Sequence, residues 1–214
     1  MRLELDHLVV GAATLQAGVA WCEATLGVVP AAGGTHPLMG THNRVLRIDS
    51  PRFARAYLEI IAIDPEAPPP GRTRWFDLDD PALQQHLRAG PALIHWVARV
   101  PDLDLACAAW RAIGLERGAA LQASRGALRW RIAVRPDGAR LARGQLPTLI
   151  EWGESHPCDT LPASGITLQA LALGGVPAAL AADWPSGVAI DPGVALAASL
   201  ATPLGPRQLT LTGA

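Results

Sequence analysis

Three observations predict an α+β fold made of paired βαβββ modules that share a mixed sheet. Leu3–Val10 and Ala92–Val100 are apolar, strand-like stretches, each with one central histidine, His7 and His95. Each is followed by a helical pattern that ends in glycine, Gly27 and Gly114. Each set then closes on a strand carrying one glutamate among aliphatics, Glu59 and Glu151. The histidine-to-glycine spacing differs by a single residue between the sets, and the difference in histidine-to-glutamate spacing falls where loops vary. A fixed order written twice marks an internal duplication.

In the first strand, alternation predicts that Leu3, Leu5, His7 and Val9 share one face. A turn at Gly11-Ala12 leads to a helix from Thr14, a good N-cap residue, to Leu26, with Leu15, Val19, Cys22 and Leu26 as its apolar stripe. Val28-Val29-Pro30 is read as a short second strand, and the polar, glycine-rich residues 33–43 as a loop. Strands follow over Arg44–Ile48 and Ala56–Ile63, the latter placing Glu59 on the face of Tyr57 and Ile61. The proline-rich Asp64–Gly71 opens a linking segment with Trp75-Phe76 and a short helix over Pro81–Arg88. In the second module the sequence predicts a helix from Asp102 to Ile113 and strands over Leu128–Val134 and Leu149–Trp152. Residues 166–212 read as a degenerate third module of strands and one short helix, with Gln169 in place of the histidine and no closing glutamate. The expected divisions are 1–64, 65–91, 92–157 and 163–214, the last packing on the others.

The chain has 214 residues, half of them hydrophobic, with 17% charged and a net charge of −1, an ordinary globular composition. Near-neutral charge argues against nucleic acid or an anionic membrane as the main partner. No signal-like N-terminus and no apolar run of spanning length are present, so a cytoplasmic location is expected. Cys22, Cys107 and Cys158 lack paired spacing and are read as reduced thiols, the first two on helices and serving as packing.

The chemistry lies in His7, Glu59, His95 and Glu151, each on an apolar strand. An unpaired buried ion costs roughly several kcal/mol or is neutralised. A divalent cation would satisfy all four, taking neutral imidazoles and ionised carboxylates and leaving positions open for a substrate oxygen. The other reading pairs the glutamates with arginines, or with His7 and His95. Ligand type leaves Zn, Ni, Mn and Fe open. Around the site, His42 and Asn43 precede a strand and can face a pocket or form a turn. His36, before Pro37, reads as a gate or a solvated side chain, and Trp75 as an aromatic lid or an anchor for its segment. Trp96, Trp130 and Trp152 are expected to pack in the core, with His156 and Trp184 structural.

Several short stretches resemble one family. Leu5-Asp6-His7-Leu8, the Gly-Gly-x-His-Pro run at 33–37, Gly40-Thr41-His42-Asn43, Tyr57-Leu58-Glu59 and Leu146–Trp152 with His156-Pro157 resemble the bacterial glyoxalase-like proteins of the vicinal oxygen chelate superfamily. The resemblance covers about residues 3–173. It implies that each module curls into half of a cup, so that His7, Glu59, His95 and Glu151 converge as in glyoxalase I. It further implies a small oxo or hydroxy-carbonyl substrate held through adjacent oxygens, with Glu151 or Glu59 carrying the proton. The rival reading is a metal-free protein of the same fold that sequesters a small planar molecule. One chain holds both modules and can complete a site alone, which leaves monomer and homodimer open.

Overall fold

The computed structural model describes residues 2–211. Its first module runs β1 (Glu4–Gly11), α1 (Leu15–Leu26), β2 (Ala31–His36), β3 (Thr41–Arg47) and β4 (Tyr57–Ile63). A connector carrying α2 (Pro81–Ala89) leads to the second module: β5 (Ala92–Arg99), α3 (Leu103–Ala112), β6 (Ala119–Arg125), β7 (Leu128–Val134) and β8 (Thr148–Trp152). The eight strands form one sheet in the order β2-β3-β4-β1-β5-β8-β7-β6. The modules repeat each other within it: β1 pairs in parallel with β4 as β5 does with β8, and the halves meet along the antiparallel β1–β5 seam. The sheet curls until its outer strands approach, and Arg125 Nη1 of β6 donates to Asn43 Oδ1 of β3 at 2.9 Å. The fold is thus the expected α+β cup of paired βαβββ modules.

Local chemistry accounts for the helices. Thr14 caps α1 by accepting from Ala17 N at 3.1 Å, a bond worth about 1 kcal/mol, and Gly27 ends it at φ 78°, where a side chain would be strained. Asp102 and Asp80 cap α3 and α2 in the same way. Both α1 and α3 lie on the convex face, above Leu8, Val10, Leu58, Ile60, Trp96 and Leu149. The C-terminal part adds a four-stranded sheet in the order β10-β9-β11-β12, from β9 (Thr167–Leu173), β10 (Val188–Ile190), β11 (Leu196–Thr202) and β12 (Gly205–Thr210). Its leucines join that same outer core, and Trp184 meets Trp96 edge to face at 5.4 Å. The expected last strand reaches Thr212, which lies outside the described residues.

Three expectations are corrected. Residues 31–47 form a β-hairpin and not a loop after a short strand. The glycines that suggest a loop are there because neighbouring strands crowd them, β3 at Gly33 and β6 at Gly34. A Cβ on Gly33 would lie 2.1 Å from Asn43 Oδ1, and one on Gly34 would lie 2.4 Å from Arg125 Cδ. Secondly, β6 was not expected: it is an edge strand, Ala-Ala-Leu-Gln-Ala-Ser-Arg, with little apolar alternation. Thirdly, the β1 alternation breaks. The register against β5 shifts between Leu5 and His7, a bulge at Asp6. Leu3, Leu5, Leu8 and Val10 therefore face the outer core, while Val9 belongs to the inner one and His7 lines the cavity inside the cup. A second shift, between Val9 and Val10 on β1 and His95 and Leu93 on β5, brings Ile94 into the inner cluster and His95 against inward-facing Phe76.

Gly33→Ala is expected to destabilise the protein by about 1–3 kcal/mol in urea unfolding, because backbone and side chain of Asn43 occupy the required space. Gly90→Ala, where an added Cβ meets nothing within 4 Å, should change it by less than about 0.5 kcal/mol.

Candidate functional site

The concave face holds a cavity. Its polar wall is His7 from β1, His36 from β2, Asn43 from β3, Glu59 from β4 and Arg125 from β6. Its aromatic wall is Tyr57, Trp75, Phe76, Trp130 and Trp152. The site is therefore assembled from strands of both modules, on a rigid frame.

The hydrogen bonds define the orientation of each polar group. Asp6, fully buried in the β1 bulge, lies 2.7 Å from His7 Nδ1 and accepts from Trp152 Nε1 at 3.0 Å. His156 Nδ1 accepts from Cys158 N, so its Nε2 carries the proton and donates to Asp6 Oδ2 at 3.1 Å. Burial alone would raise the Asp6 pKa, but the hydrogen bonds from His156 and His7 outweigh it and hold the carboxyl well below the usual range. An ionised Asp6 can only accept, so His7 Nδ1 donates to it and Nε2 faces the cavity. There it lies 3.6 Å from Glu59 Oε2. The His7 ring stacks on Tyr57 with centroids 4.5 Å apart.

Asn43 sets the other side of Glu59. Its Oδ1 accepts from Gly34 N and Arg125 Nη1, both at 2.9 Å, which leaves Nδ2 to donate to Glu59 Oε1 at 2.6 Å. Among the described residues no carboxylate lies within 4.0 Å of Arg125, so a guanidinium faces the cavity free of any ion pair. His36 is buried beside it, its Nδ1 3.0 Å from Thr41 Oγ1, and burial pushes it down to about 4, hence neutral. The result is a carboxylate, an oriented imidazole and a cation around one small, largely apolar space. That arrangement can move a proton and hold an oxyanion.

Of the four expected metal ligands the structure brings together two, His7 and Glu59. Glu151 is corrected. On β8, Ile150 and Trp152 take the inward positions, and Glu151 points to the helix side, where Oε2 accepts from Leu103 N at 2.7 Å and lies 3.4 Å from Arg131 Nη1. It caps α3 beside Asp102 and has no route to the cavity. His95 does point inward, but behind Phe76, ring centroids 5.2 Å apart. Thr148 N donates to its Nε2, and burial pushes its pKa down, so it is neutral and occupied at that nitrogen. Among the described residues no group of three His, Cys, Asp or Glu is arranged to hold a metal. The four-ligand centre therefore does not fit these side chains.

The remaining expectations divide by strand face. Asn43 and His36 line the cavity, whereas His42, next to Asn43 on β3, points away, 3.8 Å from Asp64. Trp75 lines the cavity, and so does Trp152, a correction to its expected place against the helices; Trp130 belongs to the inner core, as expected, and borders the cavity as well, and Trp96 is in the outer core. Phe76 and Asp77 adopt left-handed φ values of 61° and 58°, held by Asp77 Oδ2 on Arg140 Nε at 2.7 Å and Asp77 N on Gly138 O. Sequence reasoning left Asp6 and Tyr57 without roles and missed Arg125, whose only signal was a lone arginine before Gly126.

A family model described as a glyoxalase-like domain matches residues 5–188. No curated protein sequence matches the chain. A hypothetical protein from Staphylococcus aureus shares the fold, with a TM-score of 0.56 and 14% identity over 82% of this chain and 70% of that one. Methylmalonyl-CoA epimerase from Mycobacterium tuberculosis superposes at 0.43 with 19% identity, over 73% of this chain and 91% of that one. A Streptomyces coelicolor methylmalonyl-CoA epimerase variant in complex with 2-nitronate-propionyl-CoA gives 0.46 and 20%, over 73% and 99%. Among the described residues no helix is long and apolar enough to cross a membrane.

Two outcomes test this geometry. Asp6→Asn should cost about 2–4 kcal/mol, because a buried acceptor of three donors is replaced by a group that must also donate. Its folded pKa is depressed, so the stability it contributes is complete above the unfolded value of about 3.9 and is lost as pH falls toward the lower folded value. Asp6→Asn should flatten that acid limb in urea titrations. Glu151→Ala should cost about 1–2 kcal/mol and speed amide exchange in the first turn of α3.

Proposed function

The chain belongs to the glyoxalase-like domain family of the vicinal oxygen chelate superfamily, and on that premise we propose that it is an enzyme that shifts a proton next to a carbonyl. The substrate is a small oxo or hydroxy-carbonyl compound, and the reaction is of isomerase or lyase type. What carries the reading is the Glu59 carboxylate: buried, facing a cavity, held by Asn43 Nδ2, with His7 Nε2 3.6 Å from its other oxygen.

Glu59 takes the proton from the carbon beside the carbonyl: the C–H bond breaks, an O–H bond forms on Glu59, and charge moves to the carbonyl oxygen. Arg125, with no carboxylate within 4.0 Å among the described residues, supports the resulting enolate oxygen. His7, fixed in its Nδ1–H form by Asp6, presents Nε2 to the neighbouring substrate oxygen and exchanges a proton with it. Glu59 then returns its proton to carbon. Trp75, Trp130 and Trp152 keep the space apolar, which strengthens each of these interactions.

The aromatic wall also supports a second reading, in which a planar molecule stacks against the Trp130–Trp152 pair, whose centroids lie 5.4 Å apart, without turnover. The two are separated by one assay. Small α-oxo and α-hydroxy carbonyl compounds are incubated with the protein in deuterium oxide, and label at the α-carbon is followed by NMR. The wild type should wash in deuterium, and Glu59→Gln should do so about 10²–10⁴ times more slowly. Tryptophan quenching with no deuterium uptake from any of them would favour sequestration.

A further inference from the structure

The connector that walls the candidate active site also walls a second cavity. Trp75 and Phe76 line both, and beyond them Arg117, Arg135, Arg140 and Thr148 bound the second one. Two of these arginines are neutralised. Arg140 Nε lies 2.7 Å from Asp77 Oδ2, and Arg135 Nη2 lies 2.5 Å from Asp137 Oδ2.

Arg117 is not. It is 4% exposed, its Cζ sits 4.4 Å from the centroid of the Trp110 ring, and that stacking is its one contact of a specific kind among the described residues. Among the described residues no carboxylate and no hydrogen-bond acceptor engages its five N–H donors. Trp110 satisfies one face of the guanidinium plane and none of those donors. The Cys107 thiol also acts on it, but burial pushes that thiol up, so it supplies no counter-charge at neutral pH. Burial lowers the Arg117 pKa only to about 9, which leaves the group cationic there. Its donors open onto the cavity, where an anion can meet them.

We propose that this second cavity binds a small oxyanion, a carboxylate or a phosphate group, on the Arg117 guanidinium. The planar fork of donors matches two oxygens of such a group. Three guanidinium groups against the carboxylates of Asp77 and Asp137 leave the wall net positive. The site shares only Trp75 and Phe76 with the Glu59 cavity, so a ligand here presses on the aromatic partition between the two.

Thermal unfolding tests this in sodium chloride, sodium phosphate and sodium acetate at matched ionic strength, on the wild type, Arg117→Met and Glu59→Gln. Phosphate or acetate should raise the wild-type Tm by roughly 3–6 °C at about ten times its Kd, and the stronger arm names the oxyanion. Arg117→Met should lose the rise. Glu59→Gln should keep it, so that failure of the carbonyl chemistry and failure of this site are read separately. Should Arg117→Met not fold, Arg117→Lys replaces it and should weaken binding about tenfold. No rise in either salt for the wild type overturns the proposal, and so does a rise that survives in Arg117→Met or an unchanged Kd in Arg117→Lys.

Discussion

One buried carboxylate organises the candidate site. Asp6 lies in a sheet, out of contact with water, and the surrounding structure meets its need for donors from three directions: His7 beside it, and Trp152 and His156 from the far end of the second module. An uncompensated ion there would cost several kcal/mol, roughly, so the three partners cannot be dispensable. The same bonds tie β1 of the first module to the end of the second, past β5. They also give His7 its tautomer and its aim.

The bulge that makes room for Asp6 is the backbone half of the same device. Without it, regular alternation would put His7 with Leu3 and Leu5 against the helices. With it, His7 turns inward to the row that β4 presents as Tyr57, Glu59 and Ile61. On β8 no bulge intervenes, and the glutamate at the corresponding place in the duplication falls on the outer face. Duplicated sequence therefore does not mean duplicated chemistry here. The first module keeps an acid and an imidazole in the cup, while the second contributes aromatic walls and uses its acid to cap a helix.

The pattern of residues made much of this legible. The repeated strand, helix and strand order predicted the modules, and Thr14, Gly27 and Asp102 marked helix ends that the structure reproduces. His7 and Glu59 stood out as polar residues in apolar strands. What alternation could not reveal was its own interruption: a bulge is a matter of pairing between strands, and Asp6 gives no local sign of one. Gly33 and Gly34 misled for a related reason, since glycine answers to a neighbouring atom as readily as to a turn. Arg125 and Arg117 were hidden because one lies on a weakly patterned edge strand and the other just ahead of it. Their significance rests on partners far away in the chain or on the lack of a charged one nearby.

The account turns on the His7 proton, and histidine side-chain ¹⁵N–¹H NMR reads it directly. The predicted spectrum places a hydrogen-bonded proton on His7 Nδ1, shifted far downfield by the Asp6 carboxylate, and that signal disappears in Asp6→Asn. A His7 that carries its proton on Nε2 alone, or whose signals ignore the loss of the Asp6 charge, would contradict it.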